Sequence, residues 1–85
     1  MYRLRVKRSA ERDMRRPPRP LFLRINRHIL ALRNEPRPRG ARKLKGALES
    51  WRLRVGDYRV VYLIDDGAQK VTIVRVRHRR DVYAP

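Results

Sequence analysis

Two tight turns set inside a run of strand-period residues constrain the fold of this chain more than any other feature. Leu53 and Val55 alternate with Arg52 and Arg54, Gly56 and Asp57 follow, and a second strand-like segment runs from Tyr58 to Ile64. Two turn residues between two such runs specify a hairpin and fix its register. Val55 then opposes Tyr58, and one step back Arg54 lies opposite Arg59 on one face. Asp65, Asp66 and Gly67 supply another turn, after which Val71 to Val76 form a β-branched strand, so the sheet continues as an antiparallel meander.

The upstream half supplies one more strand and two helices. Tyr2, Leu4 and Val6 alternate with Arg3, Arg5 and Lys7, the period of two of a half-buried strand. Ser9 is placed to cap a short helix whose first turn holds Glu11 and Asp13, where carboxylates interact favourably with the positive end of the helix dipole. Pro17, Pro18 and Pro20 end that helix and prepare the next. Leu21, Ile25, Ile29 and Leu32 fall on one helical stripe, with Arg24, Arg27 and His28 outside it, until Asn34, Glu35 and Pro36 stop the helix. Arg37 to Gly40 is a basic connector, and Arg42, Lys43, Lys45 and Gly46 have no apolar period and read as loop. The order β-α-α-β-β-β predicts an α+β fold, a small and mainly antiparallel sheet packed on two N-terminal helices, with residues 1–85 forming a single domain.

A chain of 85 residues has room for only a small core, since a domain of this size removes only about 60% of its unfolded surface from water. With no cysteine, neither a disulfide nor a thiolate-ligated zinc can supplement it. The opening Met-Tyr-Arg-Leu-Arg-Val has no apolar run of signal-peptide type, and no segment approaches the roughly 20 apolar residues that span a bilayer. A cytoplasmic protein without a membrane partner is expected. The net charge of +16 far exceeds the magnitude of about 2–8 that suits a free-standing small domain. A polyanion or an acidic partner is implied.

The hairpin register concentrates that charge. Leu53 packs under the amphipathic helix, while Arg52, Arg54 and Arg59 share the opposite face, so one face of the sheet is core and the other basic. Like charges directly opposite are destabilising, by about 1 kcal/mol at 4 Å in water and more at lower dielectric. A phosphate seated between the guanidinium groups relieves this. Tyr2, Phe22, Trp51 and Tyr62 are expected in the core, Tyr58 is a candidate for stacking on a base, and His28 is an ordinary surface residue.

Lys43-Leu44-Lys45-Gly46, then Trp51 to Arg54, Gly56-Asp57-Tyr58-Arg59-Val60-Val61-Tyr62, and the closing His78-Arg79-Arg80-Asp81-Val82-Tyr83 together resemble the RelE/ParE superfamily of bacterial toxins, specifically its RelE branch. The resemblance implies a ribosome-dependent endoribonuclease that cleaves messenger RNA by attack of the RNA's own 2'-hydroxyl, with no metal and no cofactor. It implies that Arg52 and Arg54 are the basic residues of the first hairpin strand, that Arg59 binds the scissile phosphate, that Arg79 assists the leaving 5'-oxygen, and that Tyr83 orients or stacks on the substrate. Lys43, Lys45, Arg75, Arg77, Arg80 and Tyr58 are expected RNA contacts, to message or to ribosomal RNA.

Two positions depart from the family pattern. Where lysine is expected at 52 or 54 this chain has arginine, whose pKa above about 12 makes it a poor proton acceptor. His78 becomes the better candidate base, with simple phosphate binding as its other role. Arg77 stands where many relatives have glycine and adds charge near the site. The resemblance also implies a cognate acidic antitoxin that wraps the basic face and folds on binding, since the chain closing two residues after Tyr83 leaves no final helix to cover the site. Two other readings stay open: a ParE-like inhibitor of DNA gyrase, and an RNA- or ribosome-binding protein without catalysis, for which the charge suffices.

Overall fold

The computed structural model describes residues 1–46 and 49–82. β1 (Arg3–Val6) leads into α1 (Arg8–Asp13) and α2 (Arg19–Ala31). β2 (Arg42–Lys43), β3 (Ser50–Val55), β4 (Tyr58–Asp65) and β5 (Lys70–His78) follow, and α3 (Arg79–Val82) comes last. The strands form one five-stranded sheet in the order β1-β5-β4-β3-β2, with β1 parallel to β5 and the other pairs antiparallel.

The β3-β4 hairpin has the expected register: Val55 faces Tyr58 and Arg54 faces Arg59. Gly56 takes a φ of 60°, the positive value that the first position of a type II′ turn requires and that matches the twist of the strands. The core lies on the face that carries Leu53, Val55, Val60, Tyr62, Val71 and Ile73. Ile25, Ile29 and Leu32 of the α2 stripe are buried in it, while Arg24, Arg27 and His28 are exposed. Burying each such aliphatic side chain contributes about 1.5–3 kcal/mol. Tyr2, Phe22 and Trp51 are half-buried rather than fully in the core.

Four expectations change. Arg42 and Lys43 are not loop but an edge strand, paired with Arg52 and Trp51. Ser9 caps nothing, because the cap of α1 is Lys7. Asp13 does not sit in the first turn as a dipole partner; it closes α1 and is buried. The chain also forms a last short helix, α3, directly after β5.

The α1 differences have one cause, a bulge in β5. Val61 pairs with Arg75 but Tyr62 pairs with Ile73, so Val74 is an extra residue. A period of two from Val71 and Ile73 would put Arg75 and Arg77 on the core face. The extra residue reverses the phase, so that Val76 is buried and Arg77 faces Arg59 on the open side. β1 pairs β5 only as far as Ile73, and α1 takes over the exposed edge beyond it. Ser9 Oγ donates to the Val74 carbonyl at 2.7 Å. The Asp13 carboxylate accepts the Val76 N–H at 2.9 Å and two guanidinium N–H bonds from Arg75 at 2.9 and 3.2 Å. The helix thereby satisfies the backbone groups of a bulged edge.

The other end of the sheet is stitched by Arg37. Its guanidinium donates to Glu49 Oε1 at 2.7 Å and to both carboxylate oxygens of Asp66 at 2.8 and 3.2 Å, and it lies 5.3 Å from the centre of the Trp51 ring. Tyr2 donates to Asp66 at 2.7 Å, and Lys43 pairs with Glu49 at 3.2 Å. The Arg37 hydrogen bonds hold the Glu49 and Asp66 carboxyls below the usual carboxylate range, and the bond to Asp66 raises the Tyr2 phenol. A depressed carboxyl pKa contributes stability that is present above its unfolded value and lost as pH falls through the folded one. Arg37→Ala is therefore expected to lower Tm at pH 7, and the gap from wild type should narrow as the pH of the melt is lowered through the depressed carboxyl range. A gap that is constant with pH would mean that Arg37 acts through packing on Trp51 instead.

Candidate functional site

The end of the sheet opposite Arg37 is built by the hairpin and the phase of β5. Across three strands, Arg54 faces Arg59 and Arg59 faces Arg77, a row of guanidinium groups on the open face. The neighbouring row is Arg42, Arg52, Val61 and Arg75. A cavity of about 730 Å³ at the strand ends is lined by Arg54, Asp57, Arg59, His78, Arg79 and Arg80. Side chains directly opposite stand about 4.5–5.5 Å apart at Cβ, a spacing that suits one tetrahedral oxyanion between two planar forks.

The floor of this cavity is tied together by hydrogen bonds. The Arg79 N–H donates to the Asp57 carbonyl at 2.7 Å, tying the start of α3 to the hairpin turn. Tyr58 is buried, and its ring meets His78 edge to face at 5.1 Å and 89°, so it positions the imidazole and has no open face for a base. The Arg80 N–H donates to His78 Nδ1 at 3.2 Å. With Nδ1 accepting, the neutral ring carries its proton on Nε2. Asp81 pairs with Arg16 at 3.4 Å, and its carbonyl accepts from Arg77 at 3.4 Å. Arg77 Nε is buried and has no hydrogen-bond partner among the described residues.

The cavity thus unites Arg54, Arg59, His78, Arg79 and Arg80. Arg52 stands one row away, toward β2. Arg75 pairs with Asp13, and Lys43 pairs with Glu49 at the far end of the sheet, so both lie outside this cavity. Lys45 is exposed in the loop after β2. Tyr83 lies outside the described residues. Sequence reasoning missed Asp57 as a lining residue, having used it only as a turn former, and missed Arg42, whose strand is two residues long. Among the described residues no cluster of three His, Asp or Glu side chains is placed to hold a metal ion, and no helix is long and apolar enough to cross a membrane.

The family described as "ParE toxin of type II toxin-antitoxin system, parDE" matches residues 4–83. The chain belongs to the RelE/ParE toxin superfamily. A Mycobacterium tuberculosis relative, "Toxin RelG", is 35% identical over 83 residues, which cover 96% of this chain and 95% of the relative. Among solved structures, the RelBE2 toxin-antitoxin complex of M. tuberculosis aligns with a TM-score of 0.79 at 31% identity, covering 92% of this chain and 98% of that one. The archaeal RelE-RelB complex of Pyrococcus horikoshii aligns with a TM-score of 0.83 at 28% identity, over 92% of this chain and 94% of that one.

The superfamily match spans every strand of the sheet and both long-range devices that shape the cavity, the hairpin and the bulged β5. This type II toxin therefore has the RelE α+β fold, with an edge strand and a short final helix beyond the elements legible in its sequence.

Proposed function

We propose that this toxin cuts messenger RNA on the ribosome, using the RNA's own 2'-hydroxyl as nucleophile, and that a cognate acidic antitoxin holds it inactive. The observation that carries this reading is the Arg54–Arg59–Arg77 row opening into a cavity that also holds His78 and Arg79. The scissile phosphate sits between Arg54 and Arg59. The 2'-oxygen forms a bond to phosphorus as the bond to the 5'-oxygen breaks, leaving a 2',3'-cyclic phosphate and a 5'-hydroxyl. Charge grows on the phosphoryl oxygens and on the leaving oxygen, where preorganised guanidinium groups of Arg59 and Arg79 stabilise it. Arg52, Arg77, Arg80 and Lys45 contact the flanking RNA, and Tyr83 stacks on a base.

His78 has a different role from the base its sequence position suggested. With Nδ1 accepting from the Arg80 amide, Nε2–H is a donor, so His78 hydrogen-bonds the leaving 5'-oxygen and stabilises its developing charge, while solvent water takes the 2'-hydroxyl proton and protonates the departing 5'-oxygen. His78→Ala should lower the cleavage rate by roughly 10²–10³-fold. A substrate with sulfur in place of the 5'-bridging oxygen releases a stable thiolate that does not need that hydrogen bond, and should regain most of the loss. An equal loss on both substrates would remove the donor role.

The antitoxin is inferred from charge and from the relatives solved as toxin-antitoxin complexes. A ParE-like gyrase inhibitor is the second reading, and the description of the matched family favours it; gathering Arg54, Arg59, His78 and Arg79 around one cavity favours the nuclease. Pulse-labelling after induction separates them. A nuclease stops protein synthesis first, whereas a gyrase inhibitor first stops DNA synthesis and relaxes plasmids.

A further inference from the structure

A second cavity, of about 570 Å³, adjoins the first across the Arg54–Arg59 pair, which lines both. Its other charged walls are Arg39, Arg42 and Arg52, with His28 of α2 beside them, and none of its lining residues is acidic. The fold explains why it is open. β2 covers β3 only at Trp51 and Arg52, so among the described residues the β3 edge at Leu53 and Arg54 has no strand beside it, and the chain before β2 turns at Gly40, with a φ of 93°, near the Leu53 side chain. The register sets Arg42 directly beside Arg52 on the open face, one row from Arg54.

Resting on the nuclease reading above, we propose that this second cavity binds the phosphate of a nucleotide flanking the scissile one, so that Arg39, Arg42 and Arg52 position the RNA strand. Five guanidinium groups converge on it with no carboxylate among its walls, an arrangement that repels itself unless anions enter. Leu53 and Pro38 are the apolar side chains among its walls, and the groups that converge on it are charged forks, which phosphates engage directly. The continuous cationic track across Arg54 and Arg59 fits a strand whose charge repeats at every nucleotide.

The test is fluorescence anisotropy of the full chain with a single-stranded RNA carrying 2'-O-methyl groups throughout, which removes the nucleophile, across a series of KCl concentrations. Arg39→Ala/Arg42→Ala should weaken binding and reduce the slope of log K against log [salt] by about 1.4, and Arg39→Ala alone by about 0.7, at roughly 0.7 per phosphate contact on a single strand. Arg12→Ala/Arg15→Ala removes equal charge from α1 and the turn after it, on the β5 side of the sheet, and should leave the slope unchanged. Equal losses from the two double variants would overturn the proposal in favour of net charge alone. Unchanged RNA binding by Arg39→Ala/Arg42→Ala, with lost binding of poly-glutamate, would overturn it in favour of an acidic peptide. Because this RNA cannot be cut, a slope difference would stand even if the wild-type chain failed to cleave messages, and an absent difference would leave the nuclease reading intact.

Discussion

Arg59→Ala is expected to lower the rate of message cleavage on ribosomes by roughly 10²–10³-fold, the loss typical of removing one preorganised donor from a developing oxyanion. Arg59 is the centre of the guanidinium row, facing Arg54 on one side and Arg77 on the other, and it lines both basic cavities. Arg54 also lines both cavities but faces only Arg59. Arg59→Lys keeps the charge but loses the planar fork, so it should recover only part of the rate. Far-UV circular dichroism checks that the fold is retained, and single-turnover cleavage reads the effect. A loss below tenfold would mean that the phosphate sits elsewhere.

The largest effect on stability is expected from Asp13→Ala, at about 2–4 kcal/mol. Asp13 is only 6% exposed and makes bonds to the Val76 amide and to Arg75. Breaking a buried pair typically costs about 3–5 kcal/mol; here the Arg75 side chain is 41% exposed, so water relieves part of the penalty on that partner. The consequence reaches function through the bulge. Without Asp13 the edge of β5 at Val76 loses its partner, and the phase that turns Arg77 toward Arg59 loses its lock. Urea denaturation measures the stability loss. Arg75→Ala in the same background should add little further, since the two residues act as a pair. If Arg75→Ala instead left stability untouched and weakened RNA binding, Arg75 would be an RNA contact and not a partner of Asp13.

These two residues show what was legible in the sequence. Arg59 could be placed because a two-residue turn fixes hairpin register, so that Arg54 and Arg59 fall opposite each other without knowledge of the rest of the fold. The α2 stripe was legible for a similar reason: Leu21, Ile25, Ile29 and Leu32 keep the helical period over the whole segment. Asp13 could not be placed. Val71 to Val76 is β-branched at every position but Arg75, and nothing in it marks Val74 as the extra residue. The partner of an acidic residue near a helix end is then hidden, because it lies 62 residues away in the chain. Reading Asp13 as a dipole partner used the only local explanation available.

The remaining differences have equally physical origins. β2 is two residues long and exposed on both, too short for any hydrophobic period, and it exists because β3 offers it an edge. Tyr58 and Tyr62 carry the same side chain two positions apart, yet Tyr62 donates to the Pro36 carbonyl at 2.8 Å within the core, where burial pushes its phenol up to about 12. Tyr58 sits at the sheet end against His78. The sequence assigns Tyr62 to the core and offers Tyr58 to a base; in the structure both are buried, Tyr58 at the strand end against His78.

The measurement that tests the central claim most directly is primer extension on a defined messenger RNA incubated with ribosomes and the wild-type chain, run beside Arg79→Ala. The account predicts new breaks that require ribosomes, carry 5'-hydroxyl ends and vanish in the variant, because Arg79 lines the cavity where the phosphate is held. An intact message beside arrested growth would contradict it, and would leave gyrase inhibition or a block of translation by binding alone.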